Sequence, residues 1–334
     1  MKRLFDIYLI FFLIFPLAGM GQSFQYDTNP KGVRLPVQNI FQVEQDTLGR
    51  IWFSTTRGVF FSDGIQTYSL PDSLNAKFDY QIALHIDEDG SVWLYNDRGQ
   101  MRFFKGGYGT WEEVFFTEID NSPQFSFIQF LSRGKGSDKE FVINTSEGLN
   151  YSREEGRFIM LSDPDKINSK LSFLGGTAVS PVFYFLGKEP LVLSGGEWKP
   201  YPLKGLPLPS PPAMVMENPA TGEFYFLGNG YLASGPYENQ PEKLVDRDFT
   251  YPYPYDTDLY GLSFHSGSVF YHFNSSLRKR RLGASRSLII DSQDIFGVFL
   301  LQDFLIDQEG LLWLASSRVL ANINNLAIQK YTKS

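Results

Sequence analysis

Between Asn39 and Leu70 the chain changes from alternating to continuous hydrophobicity and back. Asn39–Gln45 alternates apolar and polar positions up to a turn at Asp46–Gly49, and Arg50–Thr55 and Gly58–Ser62 are two apolar runs. Asp63-Gly64 is a strong hairpin signal, and Gln66–Leu70 alternates again. The spacing predicts four short antiparallel strands. Nearly the same pattern returns in "DEDGSVWLYNDRGQMRFFKGG" and "IDQEGLLWLASSRVLANINN".

The repeat can be counted from one anchor, the aromatic or apolar residue three places after the turn glycine and six before the next glycine. Trp52 sits so between Gly49 and Gly58, and Trp93 between Gly90 and Gly99. Val142, Tyr184, Tyr225, Phe270 and Trp313 continue the series, giving successive spacings of 41, 49, 42, 41, 45 and 43 residues. This is the range in which each repeat holds one four-stranded blade. In units three to six the anchors carry a shift of one or two residues: Lys139 replaces the turn glycine of unit three, and unit four has no Asp-x-x-Gly turn. Six blades plus an insertion is the competing count. A lone four-stranded sheet cannot bury both faces, whereas seven in a ring bury each face against a neighbour and leave few open edges. The fold class expected is therefore all-β, a single seven-bladed β-propeller of four-stranded antiparallel blades over residues 22–334. The ends would be tied in blade seven, with Leu326–Thr332 as its outer strand and Ser23–Thr28 adding beside it.

Composition agrees with a strand-and-turn protein, with 31 Phe, 18 Tyr, 30 Gly and 19 Pro among 334 residues. A net charge of −7 argues against a general nucleic-acid binder, because phosphate binding needs a positive field. Residues 1–21 have the form of an export signal: Met1-Lys2-Arg3, the apolar core "IYLIFFLIF", and small residues at Gly19 and Gly21 before a cut ahead of Gln22. Asp6 shortens the clean apolar run to about 13 residues, below the roughly 20 that span a bilayer, so no membrane span is expected in the mature chain. A periplasmic or secreted location follows. The absence of cysteine removes disulfides, lipoprotein attachment, thiolate metal sites and cysteine nucleophiles together.

"VQNIFQVEQDTLGRIWFSTTRGVFFSDGIQTYSL" resembles the two-component regulator propeller repeat, an apolar strand followed by Asp-x-x-Gly-x-Ile-Trp-x-x-Thr, a short turn, Gly-Leu and a Tyr-x-Gly-like hairpin. Units two and seven resemble it too, and "YDTNPKGVRLPVQNI" is similar to the lead-in to the family's first blade. The resemblance is specific for units one, two and seven and only periodic for units three to six. It implies an extracytoplasmic sensor, as in the periplasmic part of hybrid histidine kinases of Bacteroidetes-type bacteria, recognising oligosaccharides or other nutrients. The sequence as read shows no immunoglobulin-like module, membrane helix or kinase motif after the propeller. The expectation is either a stand-alone exported propeller working with a membrane histidine kinase or other signalling protein, or a truncated relative.

Candidate chemistry is sparse. His85, His265 and His272 have no carboxylate at a fixed short spacing, and the many acids always offer pairs, so a glycosidase geometry is not specified. "DEDG" at Asp87–Gly90 closes in four residues and reads as a tight turn, where a calcium loop needs about six oxygens over a dozen residues. No cofactor, metal or catalytic residue is expected. "LRKRRLGASR", Leu277–Arg286, reads as a solvated charge run in a loop after a strand, or as a patch for an acidic partner. Tyr251, Tyr253 and Tyr255, in the Pro-stiffened "YPYPYD" run, either pack on the propeller face or offer rings for sugar stacking.

The strongest candidate site is positional. Arg57, Arg98 and Arg318 fall at the same place in the turn between second and third strands of units one, two and seven, which are neighbours in a closed ring. Three guanidinium groups would then face one sector of one face, suited to bidentate capture of a carboxylate such as that of a uronate-bearing glycan. The alternative is that the turn tolerates any polar residue. The leading function is a non-enzymatic ligand-binding or sensor propeller. An exported propeller lyase or glycosidase, and a protein-binding scaffold using Tyr251–Asp256 and Arg278–Arg281, stand beside it.

Overall fold

The computed structural model describes residues 26–28, 30–36, 39–78, 81–87, 90–98, 102–107, 110–114, 128–133, 140–145, 149–152, 157–160, 171–177, 180–185, 191–194, 197–200, 202–210, 212–247, 260–273, 276–291, 295 and 301–323. Side chains are described for these residues except within 128–199 and at 260, 273, 276 and 291.

These residues form seven four-stranded antiparallel sheets. Blade one is Ile40–Gln45, Ile51–Thr55, Gly58–Ser62 and Thr67–Ser69, in sequential order from the inner strand outward. Blades two to six repeat that order, with inner strands Ile82–Ile86, Ile128–Arg133, Leu171–Thr177, Pro212–Glu217 and Tyr260–His265. All seven anchor residues lie in second strands, from Trp52 in Ile51–Thr55 to Trp313 in Leu312–Ser316. Blade seven, Leu301–Ile306, Leu312–Ser316 and Leu320–Ile323, takes its fourth strand from the other end of the chain: Tyr26 pairs with Ile323 and Asp27 with Asn322. The segment expected as that blade's own outer strand, Leu326–Thr332, lies outside the described residues, as does the export signal.

Where side chains are described, second strands are buried on both sides, covered by the blades before and after. Trp52 packs with Ile82, Leu84 and Leu94 of blade two, whereas Phe53, one residue on, packs with Trp313 of blade seven. The Asp-x-x-Gly turn locks this arrangement in blades one, two and seven. Asp46 accepts hydrogen bonds from the backbone N–H of Leu48 and Arg50 (both 3.0 Å), and its Oδ2 accepts one from Trp52 Nε1 at 2.8 Å. Asp87 and Asp307 receive Trp93 Nε1 and Trp313 Nε1 at the same 2.8 Å. The Asp87 carboxylate therefore serves its own turn, as the tight-turn reading requires.

The inner strand of each blade is a sheet edge whose free N–H groups need acceptors. In blades one and two the preceding blade supplies them. Asp303 Oδ2 of blade seven accepts from Val43 N–H of blade one (2.9 Å), and Gln42 Oε1 of blade one accepts from Leu84 N–H of blade two (2.8 Å). Glu44 Oε2 likewise accepts from Ile86 N–H (2.7 Å).

The basic run departs from expectation. Ser276–Arg281 is the third strand of blade six rather than a loop, because Leu277 enters the core shared with blade seven and the charged neighbours find partners across the blade faces. Arg278 Nη1 donates to Asp246 Oδ2 of blade five (3.1 Å), which also receives Ser287 Oγ (3.0 Å) and the Tyr271 hydroxyl. Lys279 Nζ lies 5.5 Å from the centre of the Phe270 ring.

Candidate functional site

Strands one and three of each blade run one way and strands two and four the other. The second-to-third-strand turns and the connections between blades therefore open on one face. In blade one that turn is Thr56-Arg57, held by a hydroxyl at the end of the second strand: Thr55 Oγ1 accepts from Arg57 N–H (3.1 Å) and donates to Gly58 O (2.7 Å). Ser316 does the same in blade seven, donating to Val319 O (2.9 Å) and accepting from Arg318 N–H (3.2 Å). A short polar residue closing the second strand thus aims the next residue but one outward. Arg57, Arg98 and Arg318 are all exposed.

The connection from blade one to blade two carries the short helix Asp72–Asn75, pinned by buried Leu74. It crosses close over the Arg57 turn. Gly58 has φ +104°, and a Cβ there would lie 2.6 Å from Asn75 Oδ1, so only glycine lets the two segments approach. Phe78, following the helix, packs edge-on against Phe104 with ring centres 5.1 Å apart.

These segments enclose a concavity of about 430 Å³, within the range of small-molecule sites. Arg57 and Arg98 both line it, with Asn75 and Gln81 as amides and Phe41 and Phe78 as apolar surface. Among the described residues the Arg57 guanidinium has no hydrogen-bond or ion-pair partner. Arg98 Nε stands 3.6 Å from Asp97 Oδ1, and burial raises the Asp97 carboxyl above its ordinary value against the lowering influence of that arginine. Asn75 Oδ1 is buried without a hydrogen-bond partner, although its Nδ2 donates to Leu70 O (3.4 Å). Among the described residues no Asp, Glu or His belongs to the lining.

The structure thus brings two of the three arginines to one concavity. Arg318 holds the same position in blade seven but is not part of that lining. Tyr251, Tyr253 and Tyr255 lie outside the described residues. Sequence reading missed Phe41, Asn75, Phe78 and Gln81, which come from the inner-strand start and the blade connection. The signal was present in "PDSLNAKF", where Pro71 and Asp72 open the short helix of the connection. Among the described residues no group of three or more His, Asp or Glu could hold a metal ion. His272 is buried edge-on against Phe304, and His265 ends the inner strand of blade six.

No protein-family model matches the sequence. No curated protein matches it in sequence. Solved structures do match in fold. The extracellular domain of the BT4673 one-component or hybrid two-component system protein of B. thetaiotaomicron superposes with TM-score 0.63 at 14% identity, covering 90% of this chain and 40% of that one. The extracellular domain of the BT3049 hybrid two-component system from the same organism gives 0.62 at 13%, covering 92% and 42%. Streptogramin B lyase gives 0.60 at 11%, covering 90% and 97%. At these identities the likeness establishes the β-propeller fold, and the chain spans about two fifths of the two extracellular domains, at 40% and 42%. Those two domains come from one- or two-component systems, the setting that the resemblance of units one, two and seven implies.

Proposed function

We propose that this chain is a non-enzymatic ligand-binding propeller of an extracytoplasmic sensing system, exported by a signal cleaved before Gln22. On this reading its ligand is an acidic oligosaccharide. The observation that carries the reading is the joint presence of Arg57 and Arg98 on one concavity with two amides and two phenyl rings. Guanidinium groups capture a carboxylate, amides serve sugar hydroxyls in both directions, and Phe41 and Phe78 offer the apolar surface that a pyranose ring covers. Among the described residues the lining holds no carboxylate or imidazole, whereas hydrolysis needs an acid and a base or nucleophile at the bond. Arg318, on the adjoining blade, and the tyrosines Tyr251, Tyr253 and Tyr255 are proposed as further ligand contacts. The signal then passes to a membrane histidine kinase or another signalling protein.

Thermal-shift measurement with matched panels of uronate-bearing and neutral oligosaccharides tests it. A ligand at a hundred times its Kd stabilises the fold by about 2.7 kcal/mol, so a member of the acidic panel should raise the Tm by several degrees while remaining uncleaved. Cleavage of a panel member, or stabilisation by neutral sugars alone, would reject the proposal.

A further inference from the structure

The opposite face carries a second concavity, of about 330 Å³, at the seam where the Tyr26–Asp27 strand closes blade seven against blade one. Its apolar side is formed by Val33, Ile51, Leu311 and Trp313, which belong to the core shared by the two blades. Asn322 also lines it. This residue is only 8% exposed, and its Oδ1 has no hydrogen-bond partner. A buried acceptor left unpaired costs about 1–3 kcal/mol, so the position favours a donor arriving from outside.

The charge around Asn322 selects the kind of donor. Asp27, Asp63, Asp307 and Glu309 line the concavity against one lysine, Lys31. The Asp307 and Asp63 carboxylates are already engaged. Asp307 receives Glu309 N–H, Leu311 N–H and Trp313 Nε1, and Asp63 receives Ile65 N–H, Gln66 N–H and the Tyr68 hydroxyl. They supply negative potential but few open lone pairs, and no metal-binding group of acids exists among the described residues. A cation that brings its own N–H donors suits this better than a metal ion. Two large apolar side chains stand beside it on turns whose glycines line the concavity: Leu48 is 76% exposed and Ile65 is 85% exposed. A small free amine would leave both in water, whereas an apolar segment bearing the cation would cover them.

The geometry points to a docking site for an arginine or lysine side chain carried on an apolar segment of a partner polypeptide. The side-chain stem runs over the Trp313 side of the concavity, the head group donates to Asn322 Oδ1 within the acidic rim, and the flanking apolar residues cover Leu48 and Ile65.

The test is calorimetric titration of the purified protein with an acetylated Val-Leu-Arg-Leu-Val amide and with its citrulline twin, which keeps shape and loses charge. The arginine peptide should bind at least about tenfold more tightly, with affinity falling as salt rises. Glu309→Gln changes an exposed residue and should weaken binding about threefold or more. Asn322→Leu removes the unpaired amide, so the Tm should be no lower than that of the native protein while arginine-peptide binding drops about tenfold. Absence of binding at millimolar peptide, equal affinity for the two peptides, or native affinity in both variants would each overturn the inference.

Discussion

Trp52→Ala is expected to lower the unfolding free energy by about 3–5 kcal/mol, the usual cost of deleting a fully buried large aromatic. Trp52 is 0% exposed and does three things at once. It stacks on Phe61 within its own blade, with centres 4.7 Å apart, and meets Trp111 of blade two edge-on at 6.2 Å. Its Nε1 donates to Asp46 Oδ2, and Asp46 in turn holds the Leu48 and Arg50 N–H groups of the turn. Alanine would leave a cavity between two blades and take one donor from a buried carboxylate. Trp52→Phe keeps most of the packing and loses the indole donor, so a smaller cost of about 1–2 kcal/mol is expected. Urea unfolding of the three proteins measures both. A loss under about 1 kcal/mol for the alanine variant would mean that the blade interface does not carry the fold in the manner described.

The second large effect is on pH dependence. Glu44 and Asp303 lie half-buried at the inner edge of the ring, each accepting backbone N–H bonds. Burial pushes the Glu44 carboxyl up to about 8, with Asp303 adding to the rise, and burial pushes Asp303 up to about 7. A raised folded-state pKa means that the folded chain keeps a proton the unfolded chain has released. The stabilisation is fully present below pH of about 4 and is lost as pH rises toward 7–8. For Glu44 alone, the rise from 4.5 to about 8 corresponds to at most about 5 kcal/mol across that window. Glu44→Gln keeps an acceptor for Ile86 N–H, as Gln42 already does for Leu84, and removes the titration. The variant should match the native protein near pH 4 and exceed it by several kcal/mol near pH 8. Parallel stability curves for the two proteins between those pH values would contradict this account.

The units that follow the Asp-x-x-Gly-x-x-Trp pattern were legible down to single residues. There one carboxylate, one glycine and one indole satisfy a turn and anchor a strand, so chemistry and spacing repeat together. The anchors of units three to six were legible as periodicity. Blade five shows why they read less sharply: Asn218 takes the turn, and Tyr225 in the anchor position sends its hydroxyl to Glu223 instead (3.2 Å). The basic strand Ser276–Arg281 was hidden because its charges are used across blade faces, where Asp246 lies 32 residues from Arg278 in sequence. The inner-edge ladder of Asp303, Gln42 and Glu44 was not legible either. Its partners are backbone N–H groups of the next blade, which leave no mark in side-chain pattern. At the candidate site, the arginines followed from the repeat register, whereas Asn75 and Phe78 depended on how one blade connection folds over Gly58.

The most direct measurement of the central claim is the affinity of an acidic oligosaccharide, identified by its thermal shift, for the native protein, for Arg57→Ala and for the Arg57→Ala, Arg98→Ala pair. Both residues are exposed, so all three proteins should unfold at similar temperature. A charge-assisted bond to each guanidinium is worth about 1.5–3 kcal/mol, so Kd should rise at least about tenfold for the single variant and further for the pair. Unchanged affinity in both variants would contradict the site.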